Sequence, residues 1–78
     1  MGNTRRRPKN LPRKLLAIRK KLDVSQTEMA RLLELKTTYT VVSSFETGRR
    51  EPDLIVLLHY ARLARVPMET LADDKAKL

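Results

Sequence analysis

The stretch SQTEMARLLELKTTYTVVSSFETGRREP, residues 25–52, decides the fold. It opens on Ser25-Gln26-Thr27-Glu28, in which the Ser25 hydroxyl can accept from the Glu28 N–H while the Glu28 side chain reaches back to the Ser25 N–H. A helix therefore starts after Ser25, with Met29, Ala30, Leu32 and Leu33 on its buried side and Arg31 pointing away. The periodicity lapses from Glu34 to Thr37, which marks a turn, and Thr37 and Thr38 are candidate caps for the next helix. That helix is expected over about Tyr39–Thr47, with Val42 and Phe45 three apart and facing the core. Thr40, Val41 and Val42 are β-branched and form a poor isolated helix, so tertiary packing must hold it. A strand over residues 37–42 is opposed by Gly48, placed where a helix end wants a left-handed residue. It is also opposed by the lack of any partner strand pattern.

Outward from this stretch, Leu11, Leu15, Ile18 and Leu22 recur at helical spacing, widened by Leu16. Asn10 can cap this helix 1, expected over about Leu11–Lys21, and Pro12 fits its first turn. Asp23-Val24 links it to helix 2. Beyond Pro52, Asp53 can cap helix 4, about Leu54–Arg65, on which Leu54, Leu57, Tyr60, Ala61 and Ala64 form one stripe. Ile55, Leu58 and Leu63 make helix 4 apolar on further sides, as extra core or as a candidate dimer face. Val66-Pro67 breaks the helix, and Met68–Ala72 is a short helix 5 with Met68 and Leu71 on the core. The expected fold class is all-α, five helices in one domain over residues 11–72. Residues 1–10 read as a flexible basic arm and residues 73–78 as a frayed tail.

Seventy-eight residues make at most one domain with a small core. Cysteine is absent, which removes disulfides and thiolate metal sites and suits a cytoplasmic protein. No apolar run approaches the roughly 20 residues that span a bilayer, and no secretory signal is expected. The net charge is +8 and the pI about 10.5. The charge is lopsided: nine bases, Arg5, Arg6, Arg7, Lys9, Arg13, Lys14, Arg19, Lys20 and Lys21, precede the first acid, Asp23. Such a field attracts polyanions, nucleic acid before a membrane, since helix 1 lacks large aromatic anchors. His59 is the only histidine and has no companions at ligand spacing, so no metal and no cofactor are expected. No nucleophile–base–orienter set and no glycine-rich phosphate loop is present, so an enzyme is not expected.

Ile18-Arg19, Val24-Ser25-Gln26, Met29-Ala30, Val42-Ser43, Glu46-x-Gly48, Arg50-x-Pro52, Leu54, Leu57, Ala61 and Leu71 together resemble the Cro/C1-type helix-turn-helix family of bacterial and phage repressors, the XRE family. The resemblance covers about residues 11–72 and implies a lambda-repressor-like domain in which helices 2 and 3 form the helix-turn-helix. It departs from the family pattern at Glu34, where glycine is usual, and by two extra residues before Val42-Ser43. Either the turn is longer or helix 3 starts earlier.

Helix 3 would enter the major groove of double-stranded DNA with Thr38, Tyr39, Thr40, Ser43 and Ser44 outside its Val42/Phe45 face. Lys36, Arg49 and Arg50 flank it and should meet phosphates; Thr37 joins the candidate set at the turn. The Arg5–Arg7 run could touch phosphates or enter the minor groove. The resemblance further implies that the Gln26 amide contacts a phosphate, that Arg19 and Glu46 form a structural ion pair, and that two copies dimerise through helix 4, helix 5 or the loop between them. The function expected is a sequence-specific transcriptional regulator, in the first instance a repressor. Two alternatives stand beside it: an antitoxin-type module with a protein partner, and a nonspecific nucleic-acid binder.

Overall fold

The computed structural model describes residues 7–36 and 39–78, so Arg5, Arg6, Thr37 and Thr38 lie outside it. Five helices occur in chain order: α1 (Leu11–Leu22), α2 (Gln26–Leu32), α3 (Tyr39–Thr47), α4 (Leu54–Ala64) and α5 (Met68–Ala72). Among the described residues there is no strand. α3 packs on α2 and on α1, while α5 packs on α4 and α1. The core between them holds Leu15, Met29, Leu33, Val42, Tyr60 and Leu71, all essentially sealed from solvent. Phe45 on α3 meets Tyr60 on α4 edge-to-face at 6.4 Å between centroids, which ties the two halves of the domain. The β-branched α3 is held by this packing, since Val42 and Phe45 are both buried.

Helix starts obey local signals at α2 and α4. The Ser25 hydroxyl accepts from the Glu28 N–H at 3.1 Å, and the Asp53 carboxylate accepts from the Val56 N–H at 2.9 Å. The Glu28 side chain pairs with Arg31 at 3.4 Å, on the outside of the helix. At α1 the expected cap does not form: Asn10 makes no side-chain cap bond. Asp74, 64 residues away, instead binds the chain just ahead of the helix, accepting from the Asn10 N–H at 3.0 Å and the Lys9 N–H at 2.9 Å. The Asn10 and Lys9 N–H groups hold its carboxyl below the ordinary aspartate value. Lys14 Nζ donates to the Thr70 and Asp73 carbonyls at 2.7 and 2.9 Å, so the C-terminal segment is tied to α1 at residues 73 and 74.

Three helices stop in the same way. Asp23, Glu34 and Arg65 have φ of 59°, 60° and 60°. In each case the next N–H reaches back across the last turn: Val24 to Arg19, Leu35 to Ala30, Val66 to Ala61. Val24, Leu35 and Val66 then lie against the core. α4 accordingly ends at Ala64, one residue short of the expected Arg65. Glu34 occupies the left-handed conformation that glycine adopts without strain.

Two side chains expected on the core face outward: Leu54 is 70% exposed and Leu32 is 38% exposed. Leu54 lies in the first turn of α4 and Leu32 is the last residue of α2, and at these positions the stripe outruns the neighbouring helices. Gly48, at φ +81°, closes α3, and a Cβ there would meet Pro12 Cγ at 3.4 Å. Gly48→Ala should therefore destabilise the domain by about 1 kcal/mol or slightly more, from a left-handed backbone that alanine resists. For a domain of this size that lowers Tm by several degrees, on the order of 4–8 °C, checked by thermal unfolding.

Candidate nucleic-acid interface

The outward face of α3 is a shallow groove lined by Tyr39, Thr40, Ser43, Ser44, Thr47 and Arg49. Tyr39 and Thr40 are exposed at its start, whereas Ser43 and Ser44 are half-buried. The Ser44 hydroxyl donates to the Thr40 carbonyl at 2.9 Å and the Thr47 hydroxyl to the Ser43 carbonyl at 3.0 Å. With their protons held by the helix, these oxygens present lone pairs outward. Thr47 also lines the groove, a role that its place as the last residue of α3 does not signal in the sequence.

Arg49 and Arg50 diverge. Arg49 lines the α3 groove, while Arg50 lines a second cleft with Arg7, Glu51, Gly48, Phe45 and the prolines Pro8, Pro12 and Pro52. Both are exposed, as is Lys36 before α3. Arg7 donates to the Gly48 carbonyl at 3.4 Å, bringing the near end of the basic segment onto the loop after α3. Lys14, counted by the sequence in the basic field, is buried and bound to carbonyls, so it offers nothing to a polyanion. Its long stem is buried while its three donors are largely satisfied, which is how a lysine can sit in a core.

Behind the groove lies one connected polar network. Arg19 Nε and Nη2 donate to the two carboxylate oxygens of Glu46 at 2.6 and 3.2 Å, a bidentate pair. Arg19 Nη1 donates to the Val24 carbonyl at 3.0 Å, and Gln26 Nε2 donates to Glu46 Oε1 at 3.0 Å. The side chains of Arg19 and Glu46 are 17% and 5% exposed respectively. The Glu46 hydrogen bond raises the Arg19 pKa further above its already high value, so the guanidinium stays charged. Gln26 thus has one amide proton fixed by Glu46 and its second proton and oxygen left for another partner. Tyr60 stands close enough to feel this pair; burial, and then the Glu46 charge, push its hydroxyl well above the ordinary tyrosine value.

On α4 the candidate dimer residues separate. Ile55 is 59% exposed, Leu58 is half-buried, and Leu63 packs against the core. Leu54 joins Ile55 on the open side. His59 Nδ1 lies 3.0 Å from the Leu33 carbonyl, bracing α4 against the end of α2. Among the described residues no group of His, Cys, Asp and Glu could hold a metal ion, and no helix is long and apolar enough to cross a membrane.

Replacing Glu46 with Gln leaves Arg19 partly buried without its counter-charge, a loss of about 3 kcal/mol. In a domain this small the expected Tm drop is on the order of 15 °C by thermal unfolding, and Arg19→Met in the same background should recover part of it.

The helix-turn-helix family model matches residues 15–71. The fold is similar to that of the P22 c2 repressor protein in complex with synthetic operator 9T, with a TM-score of 0.73 and 20% identity, over 83% of this chain and 96% of that one. No curated protein matches the chain by sequence. With five helices in this arrangement and a family match over most of its length, the chain belongs to the Cro/C1-type helix-turn-helix family.

Proposed function

We propose that this protein is a sequence-specific, double-stranded DNA-binding transcriptional regulator, a repressor in the first instance, that lays α3 in the major groove. The observation that carries this reading is the outward face of α3, where Tyr39, Thr40, Ser43, Ser44 and Thr47 line one groove with Arg49 at its end. Tyr39 and Thr40 sit at the start of the helix, where side chains reach base edges, and their ring and methyl suit a thymine methyl. Arg49 at the end of that face, Arg50 in the loop after α3, Lys36 before α3 and Gln26 at the start of α2 suit phosphates, with Glu46 orienting the Gln26 amide. Thr37, Thr38, Arg5 and Arg6 are assigned to the interface from the sequence alone. The absence of strong bidentate base readers from α3 implies modest base discrimination, with DNA shape contributing the rest.

The protein partner is a second copy. Leu54 and Ile55 leave an apolar patch at the start of α4, and two copies joined on α4 would set two recognition helices about one DNA turn apart. The chain acts as a binding protein in the cytoplasm, with no reaction of its own. The antitoxin-type alternative would use the same patch for a different protein.

Selection from a random duplex library at about 150 mM salt tests the reading. The expected result is an enriched palindrome with half-sites about 10 base pairs apart, bound with a log K against log salt slope near −5 if about six phosphates are neutralised per domain. Measurable binding without enrichment would overturn sequence-specific recognition in favour of charge alone. Tyr39→Ala with Thr40→Ala should change base preference more than overall affinity. Arg49→Ala with Arg50→Ala should weaken binding to every duplex and flatten the salt slope by about 2. Identical behaviour of the two double variants in equilibrium titrations would refute this division of base and phosphate contacts.

A further inference from the structure

Asp74 is a carboxylate at the far end of a strongly basic chain, and it grips the backbone just beyond the basic N-terminal run. Its two oxygens take the Lys9 and Asn10 N–H groups separately, and its carbonyl accepts from Asn10 Nδ2 at 3.2 Å. Three bonds over two consecutive residues fix both the position and the direction of the chain there. The neighbouring residues are fixed by Lys14, which holds the Thr70 and Asp73 carbonyls. On the other side of this clamp Pro8 is half-buried and Arg7 donates to the Gly48 carbonyl, in the cleft that Arg50 also lines. Gly48 itself sits close over Pro12. The clamp, Pro12 and the loop after α3 therefore place Arg7 in one cleft with Arg50 and Glu51, where the Gly48 carbonyl accepts from one of its five guanidinium donors.

Resting on the DNA-binding reading above, we propose that Asp74 is a positioning residue for DNA binding: it holds Arg7 in place as a phosphate contact on the edge formed by the loop after α3. Asp74 touches no DNA in this arrangement. Its contribution is that Arg7 arrives already placed, so less conformational freedom is lost on binding. This runs against simple electrostatics. Removing an acid from a chain of charge +8 should strengthen its attraction for a polyanion, whereas loss of the clamp should weaken it.

The opposite signs make the test sharp. Asp74→Ala, Asp74→Asn, Arg7→Ala and the Asp74→Ala/Arg7→Ala double variant are titrated against the duplex enriched from the library, over a series of salt concentrations. Folded fractions are checked by circular dichroism at the assay temperature. Asp74→Ala should lower affinity by up to about fivefold at 150 mM salt and make the slope shallower by up to about 0.9, the share of one phosphate. Asp74→Asn, which keeps one acceptor oxygen, should fall between it and the parent chain. In the Arg7→Ala background, Asp74→Ala should cost nothing further. Unchanged or raised affinity in both Asp74 variants would overturn the assignment, and so would an equal loss with and without Arg7, which a merely structural role would give. A parent chain that binds the duplex beside unaffected Asp74 variants overturns this assignment alone. A parent chain that binds no duplex overturns the DNA reading and this assignment with it.

Discussion

The bidentate bond between Arg19 and Glu46 is the constraint on which the helix-turn-helix depends. Arg19 is near the end of α1 and Glu46 near the end of α3, while the same two side chains hold the Val24 carbonyl and the Gln26 amide. One guanidinium and one carboxylate thus register four segments that no other polar network joins among the described residues. Both groups are largely out of water, so their attraction is less screened than at the surface, and each would be costly alone. This is why the network specifies a geometry rather than adding stability. Its bonds join the ends of α1 and α3 to the start of α2, beside the apolar packing of Met29, Leu33, Val42 and Phe45.

Much of the architecture could be read from local signals. The bounds of α3 and α5, the caps at Ser25 and Asp53 and the buried pair Val42 and Phe45 each depend on residues within a turn of one another. The parts that could not be read depend on partners distant in sequence. Asn10 looks like a cap because its residue type suits one, yet its side chain turns to the Asp74 carbonyl while Asp74 takes the Lys9 and Asn10 N–H groups, and nothing near Asp74 announces this. Lys14 reads as a solvated base until Thr70 and Asp73 are brought to it. Leu54 belongs to the apolar stripe of α4 by spacing, but whether a stripe residue is buried depends on what reaches that turn, which the sequence of α4 does not contain.

The same limit applies to the interface. The basic field of the sequence is a sum over residues, whereas binding depends on which charges stand free. Packing withdraws Lys14 from that field and Arg19 from the surface, and divides Arg49 from Arg50 onto two sides of one loop. Of the groove-lining hydroxyls on α3, those of Ser44 and Thr47 point their protons back at the helix. The pattern of residue types was legible; the hydrogen-bonding character each presents was not, because it depends on the helix being formed.

The left-handed stops at Asp23, Glu34 and Arg65 bear on how such a domain tolerates change. An L-residue in that conformation costs roughly 1 kcal/mol or more, yet three of the four helix ends built this way carry a side chain, and only Gly48 avoids it. In each of the three, an aliphatic residue comes next and seals the turn onto the core, so the stop is enforced by burial of the next residue and not by the freedom of its own backbone. The punctuation of this chain is therefore written in Val24, Leu35 and Val66. The residues at the stops themselves, Asp23, Glu34 and Arg65, bear the backbone strain and carry charge to the surface between helices.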